Sequence, residues 1–479
     1  MHVIPESWAH LHILISLFPL VGLLFVLGFY VTSIVTDNDG LKRICLLVVV
    51  GLGVLSIPIY ISGMNSIMPV SAREDVSEEL INAHYNWSLY ALIILLLAAI
   101  AAGYEWMRSG KVGRFSANAL HLVLGISLIT LLAMIAAGES GWEINHQELG
   151  LSPVANAVSG LPSGSDIPEG QGTPQAWSHF HIILNHFPSI GLVIALFFFV
   201  VALVMDNDVM KRSALVVFTV CGVLGVPTYV TGASSMWALT DPPMENISQA
   251  AINAHRDMAL WTLFALAATG VTAWVELWRY RYLNRFSTRT LYAVLGFAIV
   301  TLGLIAETGH RGGQINHPEI RVDPLPTDPA AFLSPAIETL INNVQWFVPW
   351  QTIHFFGYCL IFGTVAAVVL RVFGFWKSMP FSAIHRILPL GVMGVVMNVF
   401  SGMLMLLADT FRYVNSNAFP PKMALVVIGA CAVLYFSLSE SLWNTKAGEE
   451  APMTAKWVAG VTLLSWVGVI TGGRLIPYV

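Results

Sequence analysis

The sequence predicts an all-α integral membrane protein of about twelve transmembrane helices, on three observations. Of its 479 residues, 56% are hydrophobic and only 11% charged, more apolar than a fully water-exposed surface tolerates at this length. Apolar runs of about 20 residues, the length of helix that spans roughly 30 Å of hydrocarbon, recur about twelve times between short polar loops. The short alternating segments of a closed barrel are not seen.

Orientation follows from the basic residues, because cytoplasmic loops retain Lys and Arg. One alternating set of loops, with Lys42, Arg43, Arg108, Lys111, Arg114, Lys211 and Arg212 among its members, holds 16 of the 23 Lys and Arg residues. That set is expected on the cytoplasmic side, which puts both termini outside. The first apolar run is full length and has no basic leader, so no cleavable signal peptide is expected. The net charge of −5 implies nothing about nucleic acid.

Residues 1–150 read as a four-helix unit with spans near 11–35, 44–63, 86–106 and 117–138. Residues 177–320 repeat it. Trp8-Ala-His-Leu-His12 is answered by Trp177-Ser-His-Phe-His181, Asp37-Asn-Asp39 by Asp206-Asn-Asp208, and Pro58-Ile-Tyr-Ile-Ser-Gly63 by Pro227-Thr-Tyr-Val-Thr-Gly232. Ile81-Asn-Ala-His84 is answered by Ile252-Asn-Ala-His255, and Ile144-Asn-His146 by Ile315-Asn-His317. Two repeats with an even number of spans insert the same way up, related by an axis along the membrane normal. The stretch 151–176, rich in Gly, Pro and Ser, reads as an external linker, and 321–349 as a second. Residues 350–479 add four spans near 351–373, 386–408, 423–441 and 457–474, with no evident counterpart of the histidine-rich helix entrance.

Helix direction gathers the histidines on one face. His12, His84 and His146 in the first copy, and His181, His255 and His317 in the second, all fall at the expected periplasmic ends. Only the second copy has His186 and His310, where the first has Leu17 and Glu139. His186 lies about 7.5 Å deeper than His181 and is rotated by roughly 140° around the helix. A low-spin b-type haem takes two imidazoles from opposite sides, and a four-helix bundle supplies them from facing helices. His186 and His310 are therefore read as the best haem-ligand pair, and the shared histidines as a second type of site. Three imidazoles also suit zinc or copper, and packed interfacial histidines remain the bland reading. His10 and His179 are supporting residues at most, and His121, replaced by Tyr292 in the second copy, is discounted.

Glu307, one turn before His310, is a candidate proton acceptor, and equally a glutamate reaching the interface. Glu105 and Glu276, at the basic end of the third helix in each copy, are expected to anchor loops. Cys45, Cys221, Cys359 and Cys431 stand singly in apolar runs, and no Cys-x-x-Cys-His is present for covalent haem.

The His181-x4-His186-Phe-Pro188 stretch, Asn253-Ala-His255, and Gly309-His310-Arg-Gly-Gly313 leading to His317 resemble an uncharacterised family of bacterial four-helix inner-membrane domains. That family's pattern is His-Pro-x-x-x-His-Phe-Pro, a further His, and a Gly-Gly stretch closing in His-Gly. Ile182 and Pro318 depart from it, as do Leu17 and Glu139 in the first copy. The resemblance covers about two thirds of the chain and implies a bacterial inner-membrane location without an activity. Through His354-Phe-Phe-Gly357 the last third weakly resembles membrane domains of the copper-resistance type. His354 is a candidate ligand for haem or copper, and Met403 and Met405 are candidate partners that equally suit core packing.

The expectation is thus a twelve-span electron-transfer subunit carrying b-type haem near the periplasmic leaflet. It would pass electrons between the quinone pool and a periplasmic cytochrome or other carrier, within a larger complex surrounded by lipid, and a quinone is a second candidate ligand. Loops 139–176 and 308–349 are the expected docking surface. A transporter of metal ions or small solutes, or a non-redox structural subunit, is the alternative. The transporter would want polar or broken helices at the midplane, where only Pro58 and Pro227 interrupt the apolar runs.

Overall fold

The computed structural model describes residues 8–71, 77–145, 181–240, 249–316, 344–408, 413 and 416–476. These residues form helices and no strand, and twelve of the helical segments are long and apolar enough to cross a membrane. The chain is an all-α multi-span membrane protein. It divides into two compact units, Met1–His179 with Ser189–Val217, and Phe180–Pro188 with Phe218–Val479.

The first copy comprises α1 (Trp8–Ile15), α2 (Leu17–Val35), α3 (Asp39–Ser71), α4 (Glu78–Val112) and α5 (Ala117–Asn145). Proline explains why its first span is two helices. Pro19 has no N–H to offer the carbonyl of Ile15, and its ring crowds that turn, so the helix breaks at Ser16. Pro188 does the same in the second copy, where a helical turn at 181–184 breaks at Asn185 before α6 (His186–Val204). The remaining helices of that copy are α7 (Asp208–Thr240), α8 (Gln249–Leu283) and α9 (Thr288–Asn316). The longest have 35 residues, about 52 Å of helix against roughly 30 Å of hydrocarbon, so they extend well past the apolar layer.

Loop chemistry repeats with the helices. Asp37 and Asp206 both take a left-handed backbone with φ 49°, a conformation Asp tolerates better than most residues. In each turn a buried lysine bridges two aspartates: Lys42 with Asp37 and with Asp39 at 2.8 Å, Lys211 with Asp206 and with Asp208 at 3.1 Å. The next turn ends at Gly113 (φ 77°) in one copy and at Asn284 (φ 47°) in the other, the two residue types that best cap a helix in this conformation. As expected, Glu105 and Glu276 anchor this end. Each takes an ion pair from an arginine three residues on and a backbone N–H eleven residues on, from Arg108 and Ser116 or from Arg279 and Ser287.

Within the first unit the first spans of the two copies meet through their own equivalents. Phe29 stacks on Phe198 with centroids 4.0 Å apart, and the Asn38 and Asn207 amides exchange hydrogen bonds of 3.3 and 2.9 Å. Self-equivalent contacts lie on a twofold axis.

The last third is α10 (Val344–Val372), the short α11 (Phe381–His385), α12 (Leu388–Ala408), α13 (Phe419–Leu438), the single turn α14 (Glu440–Trp443) and α15 (Met453–Leu475). Arg371, fully buried, donates to the carbonyls of Met379 at 2.7 Å and Lys446 at 3.1 Å and so ties two connecting loops to α10. Met403 and Met405, the candidate partners of His354, are both buried. Met403 packs in an apolar cluster with Val230, Leu263 and Phe419, which is the core role.

Candidate functional site: paired histidines docked on glycines

The shared histidines form two ring pairs. His12 on α1 faces His84 on α4 with centroids 6.1 Å apart and planes at 79°. His181, in the turn before α6, faces His255 on α8 at 6.3 Å and 74°.

Each ring is held the same way. The Nδ1 of His12 lies 3.0 Å from the carbonyl of Ile59 on α3, and that of His84 lies 2.8 Å from the carbonyl of Ala137 on α5. In the second copy the partners are the carbonyls of Thr228 at 2.9 Å and Thr308 at 3.0 Å. A carbonyl only accepts, so Nδ1 carries the proton and donates, and the lone pair resides on Nε2. The hydroxyls of Ser62 and Thr231 flank the first-helix rings at 3.2 and 3.4 Å from Nδ1. They send their own protons to the same carbonyls.

Glycine makes the close docking possible. A β-carbon at Gly63, Gly141, Gly232 or Gly312 would lie 2.9, 2.5, 2.6 or 2.9 Å from Cε1 of His12, His84, His181 or His255 respectively. Nδ1 and Nε2 are the next nearest ring atoms at every one of these glycines, so the Cε1 edge of each ring, between its two nitrogens, is pressed against the supporting helix. The local sequence is legible in these terms: a histidine is followed 51 residues later by the glycine of a Ser-Gly or Thr-Gly pair, and a second histidine 57 residues later by another glycine.

In each pair both imidazoles have Nδ1 tied to a carbonyl, and among the described residues no hydrogen bond reaches either Nε2, so two nitrogens per pair could donate to one ion. With metal–nitrogen bonds of about 2.0 Å and about 1.1 Å from ring centre to nitrogen, imidazoles on opposite sides of one ion have centroids about 6.2 Å apart. The two observed spacings bracket that value. Haem iron asks the protein for two such donors, since the porphyrin supplies the rest. Tetrahedral zinc takes three or four, and among the described residues no group of three His, Cys, Asp or Glu side chains could hold an ion. The copper or zinc alternative relied on His146 and His317, which lie outside the described residues, as do His179 and the side chain of His10.

The pair expected to ligate is His186 and His310. His186 opens α6 after the proline break, within electrostatic range of His181. The Nε2 of His310 lies 3.2 Å from the side-chain nitrogen of Gln314, one turn along α9. Among the described residues no ring contact joins the two. Glu307 accepts a 2.8 Å hydrogen bond from Arg311 in an ion pair along one helix, the arrangement of a glutamate neutralised near the interface.

His354 repeats the first-helix docking, which the sequence of the last third did not suggest. Its Nδ1 lies 3.0 Å from Ser401 Oγ, and a β-carbon at Gly402 would lie 3.2 Å from its Cε1. The hydroxyl of Ser401 donates to the Met397 carbonyl at 2.6 Å, so it accepts from Nδ1. Asn398 stands where Ile59 and Thr228 stand in the copies. With its amide turned to satisfy its neighbours, the Asn398 nitrogen lies 2.8 Å from the His354 carbonyl, 2.9 Å from Nδ1 and 3.2 Å from Nε2, and its oxygen accepts from the backbone N–H of Tyr358 at 3.0 Å.

No protein-family model, no curated protein and no solved structure matches the chain.

Proposed function

We propose that the chain is an electron-transfer subunit of the bacterial inner membrane that binds b-type haem between His12 and His84 and between His181 and His255. Both sites sit at the histidine-bearing ends of their bundles, which the distribution of basic residues assigns to the periplasmic side. Electrons would pass between the quinone pool and a periplasmic carrier, within a larger complex. The observation that carries this reading is the double docking in each copy: four imidazoles, each with Nδ1 held by a carbonyl of the next helix and Nε2 left to ligate. A carbonyl accepting from Nδ1 in this way fixes the tautomer and raises the basicity of a ligating imidazole. The reading keeps the cofactor expected from sequence but gives the ligand roles to the shared histidines rather than to His186 and His310.

The test is an oxidised-minus-reduced visible spectrum of the purified full chain, with haem and metals counted per chain. His12→Ala, His84→Ala, His181→Ala and His255→Ala should each lose one haem equivalent, with the two substitutions of a pair giving the same loss. His186→Ala and His310→Ala should retain the wild-type count. Loss of haem only in the last two variants restores the pairing expected from sequence. A colourless protein holding stoichiometric copper or zinc overturns the haem reading.

A further inference from the structure

The two copies are closed differently at the basic end of their third helix. In the second copy the last turn of α8 is covered by the last third of the chain. Arg281 donates to the Ser437 carbonyl at 3.0 Å and to that of Leu438, and the Tyr282 hydroxyl donates to the Ser382 carbonyl at 3.2 Å. The spacing that separates His84 from His255 puts Gly110 and Lys111 of α4 at these two positions in the first copy. Both are exposed.

What the glycine uncovers is a guanidinium. Arg43, near the start of α3, lies with Cζ 5.9 Å from the Trp106 ring of α4 and 6.0 Å from the Phe115 ring. Within 4 Å, a β-carbon at Gly110 would meet only its two terminal nitrogens, at 3.6 and 4.0 Å. The nearby anions are already engaged, Asp37 and Asp39 by Lys42 and Glu105 by Arg108. Among the described residues no carboxylate lies within salt-bridge distance of Arg43, Lys111 or Arg114, and the indole nitrogen of Trp106 is buried with no hydrogen-bond partner. Lys111 and Arg114 are each next in sequence to a residue that Arg43 lies against. The corner therefore gathers cationic donors without an acceptor.

A guanidinium matches a phosphate in shape and charge, and basic pockets between membrane helices take phospholipid headgroups. We propose that the first copy binds the phosphate of an anionic phospholipid at Arg43, with Lys111 and Arg114 beside it, where the second copy receives carbonyls of the last third. The acyl chains favour a lipid over a free anion: Met107, Tyr104 and Ile100 run up α4 from Gly110 at helical spacing, all exposed, and offer them an apolar stripe.

The purified full-length protein is titrated with phosphatidylglycerol, phosphatidylcholine or inorganic phosphate, bound lipid is counted per chain by native mass spectrometry, and the melting temperature is read in parallel. Phosphatidylglycerol should bind more tightly than phosphatidylcholine and raise the melting temperature. Arg43→Gln should weaken phosphatidylglycerol about fivefold, the scale of one basic residue at a membrane surface. Arg43→Lys should lose less, and Arg212→Gln, the equivalent change in the second copy, nothing. Gly110→Leu has room to fold, because only the guanidinium is near, and should cause a similar loss by covering it. Equal affinity for the two lipids, or wild-type binding in both Arg43→Gln and Gly110→Leu, overturns the site. A melting-temperature rise with inorganic phosphate equal to that with phosphatidylglycerol overturns the lipid in favour of a free anion.

Discussion

The two copies agree at their ring pairs and differ around them. Both dock His on Gly, both give Nδ1 a carbonyl, and both hold the rings a little over 6 Å apart. Beside His84 the first copy has Tyr85 and Asn86, whereas beside His255 the second has Arg256 and a buried Asp257 joined in an ion pair. Around the fourth-helix glycine the first copy has Ala136, Glu139 and Ser140, and the second Glu307, His310 and Arg311. Ring geometry is therefore the shared constraint, and nearby charge is what distinguishes the copies. Two haems with one ligation and different charge would have different potentials, since net charge and hydrogen bonding tune the iron.

Glycine substitutions test the shared part and should have the largest effect. Gly141→Ala and Gly232→Ala put a methyl 2.5 and 2.6 Å from a histidine carbon, whereas Gly63→Ala and Gly312→Ala leave 2.9 Å. Overpacking of this kind costs about 1–3 kcal/mol, and here it falls on a ring proposed to ligate. The expected result is loss of one haem equivalent in the first two variants and weaker haem retention in the second two, read from haem content after purification. Four variants with the wild-type count and unshifted spectra would show that the docking is packing alone.

The difference between the copies is tested by making the second resemble the first. The Arg311 charge acts on His255, and Ser140 is its counterpart in the first copy. Removing a positive charge beside an iron favours the more positive oxidised state, so Arg311→Ser should lower the midpoint potential of one haem only. The expected shift is tens of millivolts, on the scale of about 59 mV per tenfold change for one electron. Glu307→Ala together with Arg311→Ser should restore part of it and bring the two potentials closer. A redox titration in which both haems move together would dissolve the distinction between the copies.

Much of this was legible in the sequence, and the missing part has a physical reason. Apolar length fixes spans such as 117–138, observed within Ala117–Asn145, because hydrocarbon thickness leaves little choice. Polar ends are less constrained, which is why α3 and α4 run past their apolar cores to Ser71 and down to Glu78. The shared histidines stood out by repetition, but which ring faces which did not. The pairing signal was in the glycines: Gly63, Gly141, Gly232 and Gly312 mark where a ring presses on a neighbouring helix. A glycine in a membrane helix is read first as helix contact, and Gly222 against Gly270 is an instance of that. Only the three-dimensional packing separates the two uses. The same cue is harder to read in the last third, where Ser401-Gly402 has no flanking similarity to the copies and its contact with His354 is visible only in the packing.

The smallest effect belongs to the basic turns, where the copies do not differ. Lys211 donates to Asp206, and that hydrogen bond, with the lysine charge, holds the Asp206 carboxyl below its ordinary value of 3.8. A carboxyl lowered on folding stabilises the fold above its unfolded value, and that contribution disappears as pH falls through the lower folded value. Asp206 is exposed and screened by solvent, so the effect is modest. Thermal unfolding at pH 7 and near pH 3 should show wild type losing slightly more on acidification than Asp206→Asn. An equal loss in the two would mean that the hydrogen bond from Lys211 to Asp206 adds nothing to the fold at the end away from the histidines.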